Sequence, residues 1–543
     1  MSQGLPRLDL DALPPETRAA VAAHLEALSL QARQLDAERA ARAQLESEVQ
    51  ELKARSERLE HLLRELKRAR FGKSSEKLDP DQLALSFEDI EIAIGEVREA
   101  DDRARPEKRR AKEQSGTREG RRALPRELPR IETVIEPDSL ACPCGCGEMV
   151  RIGEDISERL DIVPAELRVL VTIRPRYACP KGRSGVAQAK APARLIEGGL
   201  PSEALIAHIV AAKYCEHLPL YRQWQQFKRR GVILDRSVLA DWVGRASFHL
   251  TPIVARMAEL LKQSGKLFLD ETTAPVLDPG RGRTKTGYLW ALARDDRSWG
   301  GVDPPGVVFH YAPGRGGIHG EEILEGFDGI LQVDGYSGYR RLARPERRGG
   351  QPLVLAHCWS HARREVIKAT PAKGSPVADE LLRQIASLYA IEKEIRGQSP
   401  ERRLRERQAR SRPIVEKLGT WIGEQRARLS RKSPMGSALA YIANHWDGLC
   451  VFLEDGRVEM DNNPVENLIR PLALNRKNAL FCGHDEGGAS WARIASLVET
   501  CKLNDVDPYA YLRDTLEVIA AGHPQSRLDE LLPWAFTSLH QIA

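Results

Sequence analysis

A seven-residue repeat of leucines is the first pattern along the chain. It lies in a charged stretch, about residues 15–70, that is almost free of glycine and proline. Val49 and Leu63 take the companion position of the heptad. The repeated leucines are Leu45, Leu52, Leu59 and Leu66. The spacing predicts an N-terminal coiled coil and self-association; the alternative is a helix packed back on its own chain.

Two short apolar runs further along the chain each end in an aspartate. Residues 266–269 precede Asp270, and residues 329–333 precede Asp334. Such runs predict buried strands, and an acid that closes one lies at the rim of an open α/β sheet, where ligands bind. Further strands of the same region are predicted at 288–293, 307–311 and 353–356.

An amphipathic helix is predicted to begin near Asp461–Asn463, where capping residues precede Pro464. Glu466 falls in its first turn, so this acid either stabilises the helix dipole or belongs to a site. Six side chains that can donate hydrogen bonds to phosphate oxygens follow it. They are Asn467, Arg470, Asn475, Arg476, Lys477 and Asn478.

The spacing of the three acids predicts an inserted domain. Asp270 and Asp334 lie 64 residues apart, whereas Glu466 follows 132 residues later. That second gap is too long for one strand and one helix, and helices are predicted at 378–395, 402–428 and 437–444. The middle helix is rich in arginine, so it either holds DNA or is a solvated face balanced by glutamates. Its arginines are Arg402, Arg403, Arg405, Arg407, Arg410 and Arg412.

Residues 200–261 are predicted to be helical, with one part similar to a helix-turn-helix. Residues 221–230 form a basic amphipathic segment, Gly231 supplies a turn, and Asp235 or Ser237 precedes the next helix. An ordinary helical hairpin has the same pattern. The candidate DNA contacts are Arg229, Arg230 and Arg236, beside Lys228.

Composition and charge indicate the number of domains and the cellular compartment. The chain has 543 residues, 42% of them hydrophobic, which is enough for several cores. The net charge is only +5, but basic residues cluster, for example between 108 and 122 in a stretch predicted to be a flexible linker. Nine cysteines at irregular spacing, without a signal peptide or long apolar run, predict a reducing cytosol and no membrane span.

The three acids point to metal-dependent chemistry on phosphodiesters. Asp270, Asp334 and Glu466 offer hard oxygen ligands with no cysteine or histidine nearby in sequence. Such a set suits Mg²⁺ or Mn²⁺, and two such ions can activate water and stabilise a leaving oxygen.

The motifs around these acids resemble a known family. The sequence is similar to bacterial transposases of the insertion-sequence sixty-six family, which use an Asp-Asp-Glu triad. The matching motifs are L-D-E-T at 269–272, V-D-G-Y at 333–336, H-C-W-S-H-A-R-R at 357–364, D-N-N-P-V-E-N-x-I-R-P-L-A-L-x-R-K-N at 461–478, R-F-G-K-S-S-E-K at 70–77, and the C-terminal segments 491–504 and 507–512.

The resemblance implies a DNA transposase with a ribonuclease-H-like catalytic core. Asp270, Asp334 and Glu466 would be the catalytic acids and magnesium ligands. His357 and His361 are four apart on a predicted helix, a spacing that also suits a metal, but the resemblance places His361 beside the acids. The residues expected to position DNA are His361, Arg364, Arg470, Arg476 and Lys477.

A cysteine cluster predicts a small zinc-ribbon-like module. The first knuckle is C-P-C-G-C, and a strand-rich segment, 168–177, separates it from a distant cysteine. Gly145 and Gly182 stand where the family pattern has the second cysteine of each pair, so a fourth ligand is not evident and a metal-free module is the alternative. The candidate zinc ligands are Cys142, Cys144, Cys146 and Cys179.

The predicted architecture is multidomain α/β. Its expected partners are double-stranded DNA, both element ends and target, further copies of the chain, and, as the resemblance implies, accessory proteins of the same element. We expect a bacterial cytoplasmic, nucleoid-associated protein. The alternative functions are a DNA-binding protein without mobility and a nuclease without strand transfer. The predicted regions are a coiled coil at 15–70, a linker at 71–130, the zinc-ribbon-like module at 131–195, a helical DNA-binding region at 196–262, the catalytic domain at 263–490 with a helical insertion at about 370–455, and a C-terminal helical module at 491–543.

Overall fold

The computed structural model describes residues 128–537, with gaps at 164–165, 182–184, 279–280 and 371–373, together with residues 92–97 and isolated positions nearer the N-terminus. Two compact units are present: residues 1–61 with 97–117, and residues 62–96 with 118–543. In the first unit, the described positions between 31 and 57 are helical and exposed. The leucines of the predicted coiled-coil seam lie outside the described residues, so the coiled coil stays a prediction.

The larger unit is a mixed α/β structure. Its described residues contain two sheets, and the first belongs to the cysteine-containing module. In this sheet β2 and β3 form a long antiparallel hairpin, β1 runs parallel to β3, and β4 pairs with the end of β3. The strands are β1 (Arg130–Val134), β2 (Val150–Val163), β3 (Glu166–Ala178) and β4 (Val186–Gln188).

Three helices follow the first sheet: α1 (Glu203–Tyr214), α2 (Leu220–Arg229) and α3 (Arg236–Leu261). Ser202 caps α1 by accepting a hydrogen bond from the Leu205 amide, as expected for a serine at that position. Gly231 turns the chain between α2 and α3 with a φ of +79°, a value that favours glycine.

Part of the predicted linker is ordered and buried. Residues 92–96 are helical, and Ile92 is fully buried. A Cβ atom on Gly244 of α3 would lie 1.8 Å from the Ile92 carbonyl oxygen, so glycine permits this close approach. Glu96 accepts a hydrogen bond from Arg493 at 2.8 Å. The apolar residues of this short segment therefore belong to the core. The sequence analysis did not predict this, because the residues around the segment are highly charged.

The second sheet has five strands in the order β7-β6-β5-β8-β9. β5, β6 and β7 are antiparallel, whereas β8 and β9 run parallel to β5. Helices cover the sheet, which explains why its central runs are apolar throughout. All five strands predicted from the sequence are present. They are β5 (Lys266–Asp278), β6 (Arg283–Arg294), β7 (Gly306–Ala312), β8 (Ile330–Val333) and β9 (Val354–His357).

Helices between β9 and Glu466 form the predicted insertion, which has its own hydrophobic core. The predicted middle helix is interrupted by a π-helical turn at Arg407–Ser411. Around the sheet and the insertion, the remaining helices are α4 (Gly317–Ile323), α5 (Trp359–Ala369), α6 (Pro376–Ile395), α7 (Pro400–Glu406), α8 (Arg412–Arg428), α9 (Pro434–Asn444), α10 (Trp446–Cys450), α11 (Asn463–Ala479), α12 (Asp485–Leu503) and α13 (Pro508–Ala520).

Helix α12 lies on the sheet at β7. The hydroxyl of Ser496 accepts from the Phe309 amide at 2.8 Å, and that of Thr500 accepts from the Val307 amide at 3.0 Å. These buried hydroxyls therefore accept hydrogen bonds from backbone amides that would otherwise be unpaired at the outer edge of the sheet. Among the described residues, none of the helices combines the length and apolar character that crossing a membrane requires.

Candidate active site and cysteine cluster

The two aspartates face each other across neighbouring parallel strands. Phe268 of β5 lies opposite Gln332 of β8, and the same register places Asp270 opposite Asp334. Each carboxylate accepts a nearby backbone hydrogen bond: Asp270 from the amide of Glu271 at 2.8 Å, and Asp334 from that of Tyr336 at 2.7 Å. Asp334 follows the end of β8, whereas β5 continues beyond Asp270 to Asp278, so the prediction that Asp270 closes its strand is wrong. Asp270 lies beside Asp334 because the pairing of β5 with β8 stops at this point.

The segment before α11 is fastened to the same rim. The Gln332 side chain donates to the Glu459 carbonyl at 3.0 Å and accepts from the Glu459 amide at 2.9 Å. Asn462 donates to the carbonyl of Leu269 at 3.4 Å. Because these bonds join β5 and β8 to the start of α11, they place Glu466, in its first turn, beside the aspartates.

Asp270 is affected by burial and by the charges of the neighbouring acids. Burial raises the pKa of Asp270 well above its usual range, and the negative charges of Asp334, Glu271 and Glu466 raise it further. The Oε1 atom of Glu466 is buried and, among the described residues, has no hydrogen-bond partner. Neighbouring carboxylates that raise the pKa of Asp270, together with an unsatisfied buried oxygen on Glu466, favour a hard divalent cation, which would neutralise their repulsion.

Cys358 lies beside Glu466. Cys358, His361 and Glu466 offer ligand atoms within 4.8 Å of one another. Burial raises the pKa of the Cys358 thiol to about 12, and its sulfur accepts from the Asn462 amide at 3.3 Å. Cys358 therefore connects α5 with the start of α11.

His361 and Arg364 lie beside the third acid. His361 Nδ1 is 3.5 Å from Glu466 Oε1, and Arg364 Nη2 is 3.6 Å from Oε2. Arg364 also approaches His361 Nε2 at 3.2 Å. The prediction that His357 shares their helix is wrong, because His357 ends β9, opposite Val333. Strand pairing, which sequence spacing does not reveal, separates the two histidines.

The sequence analysis missed an arginine at this rim. Arg315, in the loop after β7, pairs with the buried carboxylate of Glu271, next to Asp270. Its guanidinium lies 3.9 Å from the centre of the Tyr336 ring, and the Tyr336 hydroxyl donates to the Arg315 carbonyl at 2.9 Å. Arg315 is therefore held against both acid motifs. The sequence contained two hints of such a residue: the glutamate of L-D-E-T and the tyrosine of V-D-G-Y, which are the two side chains that Arg315 contacts.

The glycine of V-D-G-Y is required at its position for a steric reason. A Cβ atom on Gly335 would lie 2.0 Å from the hydroxyl oxygen of Tyr441, which belongs to the insertion. Asp334, in turn, is one of the charges that raise the pKa of the Tyr441 hydroxyl, after burial. The insertion thus reaches the aspartate rim, a contact between segments more than a hundred residues apart.

The cations of α11 do not share one environment. Arg470 is exposed, whereas Arg476 donates to the Thr273 carbonyl of β5 at 2.7 Å. Lys477 lies in the helix, but its side chain is outside the described residues. Arg476 therefore fastens α11 to the sheet in this structure, while Arg470 faces solvent.

The arginines of the insertion divide in the same way. Arg403 and Arg407 are buried, and Arg407 makes a two-bond contact with Glu392 at 2.7 Å. Arg410 and Arg412 pair with Glu394 and Glu454, respectively. Glutamates thus balance four of the six arginines, as in the second of the two interpretations, although Arg403 and Arg407 are buried and not solvated. Arg402 and Arg405 are exposed and make no salt bridge with any described residue.

The helix-turn-helix-like region exposes two of its three candidate arginines. Arg229 and Arg230 are exposed at the end of α2. Arg236, at the start of α3, lies over the rings of Tyr221 and Trp224, with 5.4 and 5.7 Å to their centres. The three arginines therefore occur around one turn, at the junction of two helices.

The four cysteines come together. Cys142 Sγ is 3.1 Å from Cys144 Sγ, and Cys179 Sγ lies 3.4 Å from Cys146 Sγ and 3.9 Å from Cys144 Sγ. All four sulfurs lie within 4.8 Å of one another. Tetrahedral zinc with bonds of about 2.3 Å has sulfurs roughly 3.8 Å apart, so the cluster fits zinc. The fourth ligand that the sequence did not reveal is supplied because both Cys144 and Cys146 belong to the cluster.

Gly145 makes that knuckle possible. It has a φ of +72°, and its amide donates to the Cys142 carbonyl at 2.9 Å. The glycine therefore turns the backbone tightly enough for three cysteines spaced two apart to converge.

Comparison with known families covers most of the chain. A family model described as "Transposase IS66 family" matches residues 198–490, and one described as "IS66 C-terminal element" matches 496–534. A "zinc-finger binding domain of transposase IS66" matches 139–181, and "Transposase C of IS166 homeodomain" matches 58–133. The match at 139–181 contains all four clustered cysteines.

Relatives of similar length occur in Sinorhizobium fredii (strain NBRC 101917 / NGR234). "Uncharacterized protein y4jD" is 44% identical over 86% of this chain and 92% of the relative. "Uncharacterized protein y4qI" is 41% identical over 89% of this chain and 90% of the relative. "Uncharacterized protein y4hP" is 34% identical over 88% and 87%, respectively. The similarity thus extends over nearly the whole length of both proteins.

Proposed function

Because this chain belongs to the IS66 transposase family, we propose that it is a metal-dependent DNA transposase that cleaves phosphodiester bonds at the ends of an insertion sequence and joins the 3′ ends to target DNA. The observation that carries the proposal is the meeting of Asp270, Asp334 and Glu466 at one sheet rim. Three half-buried acids from distant segments, brought together at the cost of a raised Asp270 pKa, are expected where charge serves a reaction.

The fold supports the same proposal. Three antiparallel strands followed by two parallel ones, with the first acid on β5 and the second after β8, match the ribonuclease-H-like core that we assign. Two Mg²⁺ or Mn²⁺ ions held by Asp270, Asp334 and Glu466 would activate water and stabilise the leaving oxygen. The freed 3′ hydroxyl then serves as the nucleophile for joining, so no serine or tyrosine nucleophile is needed.

The surrounding side chains have positioning roles in this proposal. His361 and Arg364 lie 3.5 and 3.6 Å from the Glu466 carboxylate oxygens and would position DNA or the scissile phosphate beside that acid. Arg315 presents a planar cation to phosphate oxygens near both aspartates. Arg470, with Arg476 and Lys477, would bind DNA backbone along α11, although Arg476 must then exchange or share its contact with Thr273.

The remaining modules would assemble the complex on DNA. We assign end binding to the helix-turn-helix-like region through Arg229, Arg230 and Arg236, with the zinc module beside it in sequence. The coiled coil would join copies of the chain, and accessory proteins of the same element are further candidate partners. Such a protein works in the bacterial cytoplasm, at the nucleoid.

A cleavage assay on DNA carrying the ends that flank its gene tests the proposal. Asp270→Asn, Asp334→Asn and Glu466→Gln should each lower cleavage and joining in Mg²⁺ at least about 1,000-fold, because each removes a ligand charge on which the reaction depends. Asp303→Asn, an exposed aspartate away from the rim, is the matched control. DNA binding should stay close to that of the parent.

The outcomes separate the alternatives. Parental rates in any one acid variant would refute that acid's assignment. Cleavage without joining would identify a nuclease, and end binding without either reaction would identify a DNA-binding protein that lacks mobility.

A further inference from the structure

A polar cavity of about 630 Å³ lies between the start of α11 and the end of α6 in the insertion. The first two turns of α11 form one wall, and Asp461 and Asn463, five and three residues before Glu466, contribute to the lining. Pockets that enclose a single small ligand have volumes of roughly 300–1,000 Å³. The cavity therefore suits a nucleotide unit and not a double helix.

The acids that line the cavity already have partners. Glu459 accepts from Arg403 at 2.8 Å and from Ser298 at 2.6 Å. Glu392 is held by Arg407. Asp295 pairs with Arg297, and Asp461 accepts from the amide of Asn463. Three of these four acids are thus paired with arginines, and Asp461 is hydrogen-bonded to a backbone amide.

Two of the lining cations are different. Lys393 and Arg396, at the end of α6, are exposed and make no salt bridge with any residue that the structure describes. Facing them on α11 are Asn463 and Asn467, whose exposed side-chain amides make no hydrogen bond within the described part of the chain. One wall therefore offers positive charge for phosphates, and the other offers paired donors and acceptors of the kind that recognise base edges.

We propose that this cavity binds an unpaired nucleotide of single-stranded DNA, with Lys393 and Arg396 on its flanking phosphates and Asn463 and Asn467 on its base. The inference rests on the proposed function for its biological setting, since cleavage at the acids would create single-stranded ends, and Asn463 and Asn467 of the cavity flank Glu466 along α11. It does not require that cleavage occur, because the binding surface is present without DNA.

The experiment measures binding of two fluorescein-labelled probes to the full-length protein in EDTA, by anisotropy: a 12-nucleotide oligodeoxythymidine and a 30-base-pair blunt duplex. Lys393→Ala with Arg396→Ala should weaken binding of the single strand at least about tenfold and that of the duplex less than about twofold. The salt dependence for the single strand should also fall, by about 1.4 in slope, since each phosphate contact contributes about 0.7.

A matched control uses two exposed arginines of the same insertion that do not line the cavity. Arg402→Ala with Arg405→Ala removes the same charge from α7. It should leave single-strand binding within about twofold of the parent. Equal losses in both double variants, or equal losses for both probes, would overturn the proposal in favour of a general charge effect.

A second pair of variants tests base contact. Asn463→Ala with Asn467→Ala should weaken binding of the oligodeoxythymidine and leave binding of a 12-unit abasic strand unchanged. Equal weakening of both would refute base recognition. All these measurements exclude metal ions, so loss of the cavity proposal is distinguishable from loss of the cleavage proposal, which only the Mg²⁺-dependent assay of the acid variants addresses.

Discussion

The cysteine cluster and the carboxylate rim are two candidate metal centres of opposite design. Three of the four sulfur ligands come from five consecutive residues, and the fourth comes from the end of the neighbouring strand β3. The carboxylates come from β5, the turn after β8 and the first turn of α11. The cysteine cluster can therefore form from nearby residues, whereas the carboxylate rim exists only after the whole sheet and the insertion have folded.

This difference matches the chemistry expected of each. Four sulfurs leave no open position on tetrahedral zinc, which is the arrangement of structural sites. Three carboxylates leave coordination positions for water and phosphate, as catalysis needs. The closed centre should therefore control the stability of a small module, and the open centre should control rate.

Removing the zinc ligands should give the largest effect. Parental protein should contain about one zinc per chain, and the double variant Cys142→Ser with Cys179→Ser should contain almost none, because two of the four ligands are gone. Loss of zinc should also unfold the module, since structural zinc supplies much of the folding energy of such modules, about 10–16 kcal/mol in isolated fingers. The segment around β2 and β3 should then become sensitive to protease. Metal analysis and limited proteolysis measure both.

Cys450→Ser, a half-buried cysteine outside the cluster, is the matched control and should keep its zinc. Freshly purified, reduced parental protein without zinc would show that the cluster is a metal-free module.

Replacing Arg315 should have an intermediate effect, confined to the open centre. Arg315→Ala should lower cleavage about 10–100-fold, equivalent to about 1.4–2.7 kcal/mol, mostly through weaker productive DNA binding. Arg315→Lys should recover only part of the loss, because lysine lacks the planar group that stacks on Tyr336. Kinetics over a range of DNA concentrations separate binding from rate.

Arg341 offers a close control, since it is similarly exposed and also pairs with a buried glutamate, Glu321, at 2.7 Å. Arg341→Ala should leave the kinetics near parental. A similar loss in both variants would mean that Arg315 acts through stability alone.

The smallest expected effect is the pH dependence of the metal-free rim. Burial and neighbouring acids raise the pKa of Asp270, so the folded protein favours the protonated acid. The ionised acid therefore destabilises the fold increasingly as pH rises from the ordinary carboxyl range towards the raised pKa. Asp270→Asn, which mimics the protonated state, should raise the unfolding temperature by roughly 2–4 °C per kcal/mol gained, and more at pH 8 than at pH 5.

Thermal unfolding in EDTA measures that difference, and Mg²⁺ should reduce it because the ion stabilises the parental carboxylates. A difference that stayed constant across this pH range would show that folding does not raise the pKa of Asp270. Zinc content should remain unchanged throughout, which separates the two centres.

The sequence alone determined the local elements. Apolar runs identified all five strands of the second sheet, because strands buried on both faces need such runs. The two aspartates could be predicted at one site because each ends an apolar run, although only Asp334 ends its strand. The cysteines could be predicted as a module because their ligands are close in sequence, although their mutual convergence required the turn at Gly145.

Only the tertiary structure decided which side chains share an environment. The arginines of the insertion cannot be told apart by sequence, yet Arg403 and Arg407 are buried and pair with Glu459 and Glu392, whereas Arg402 and Arg405 are exposed. The packing of α6 against the π-helical turn decides which way each arginine points. His357 and His361 separated because one ends a strand. Arg315 and Tyr441 reach the rim through contacts across long sequence distances, and sequence periodicity carries no information about such contacts.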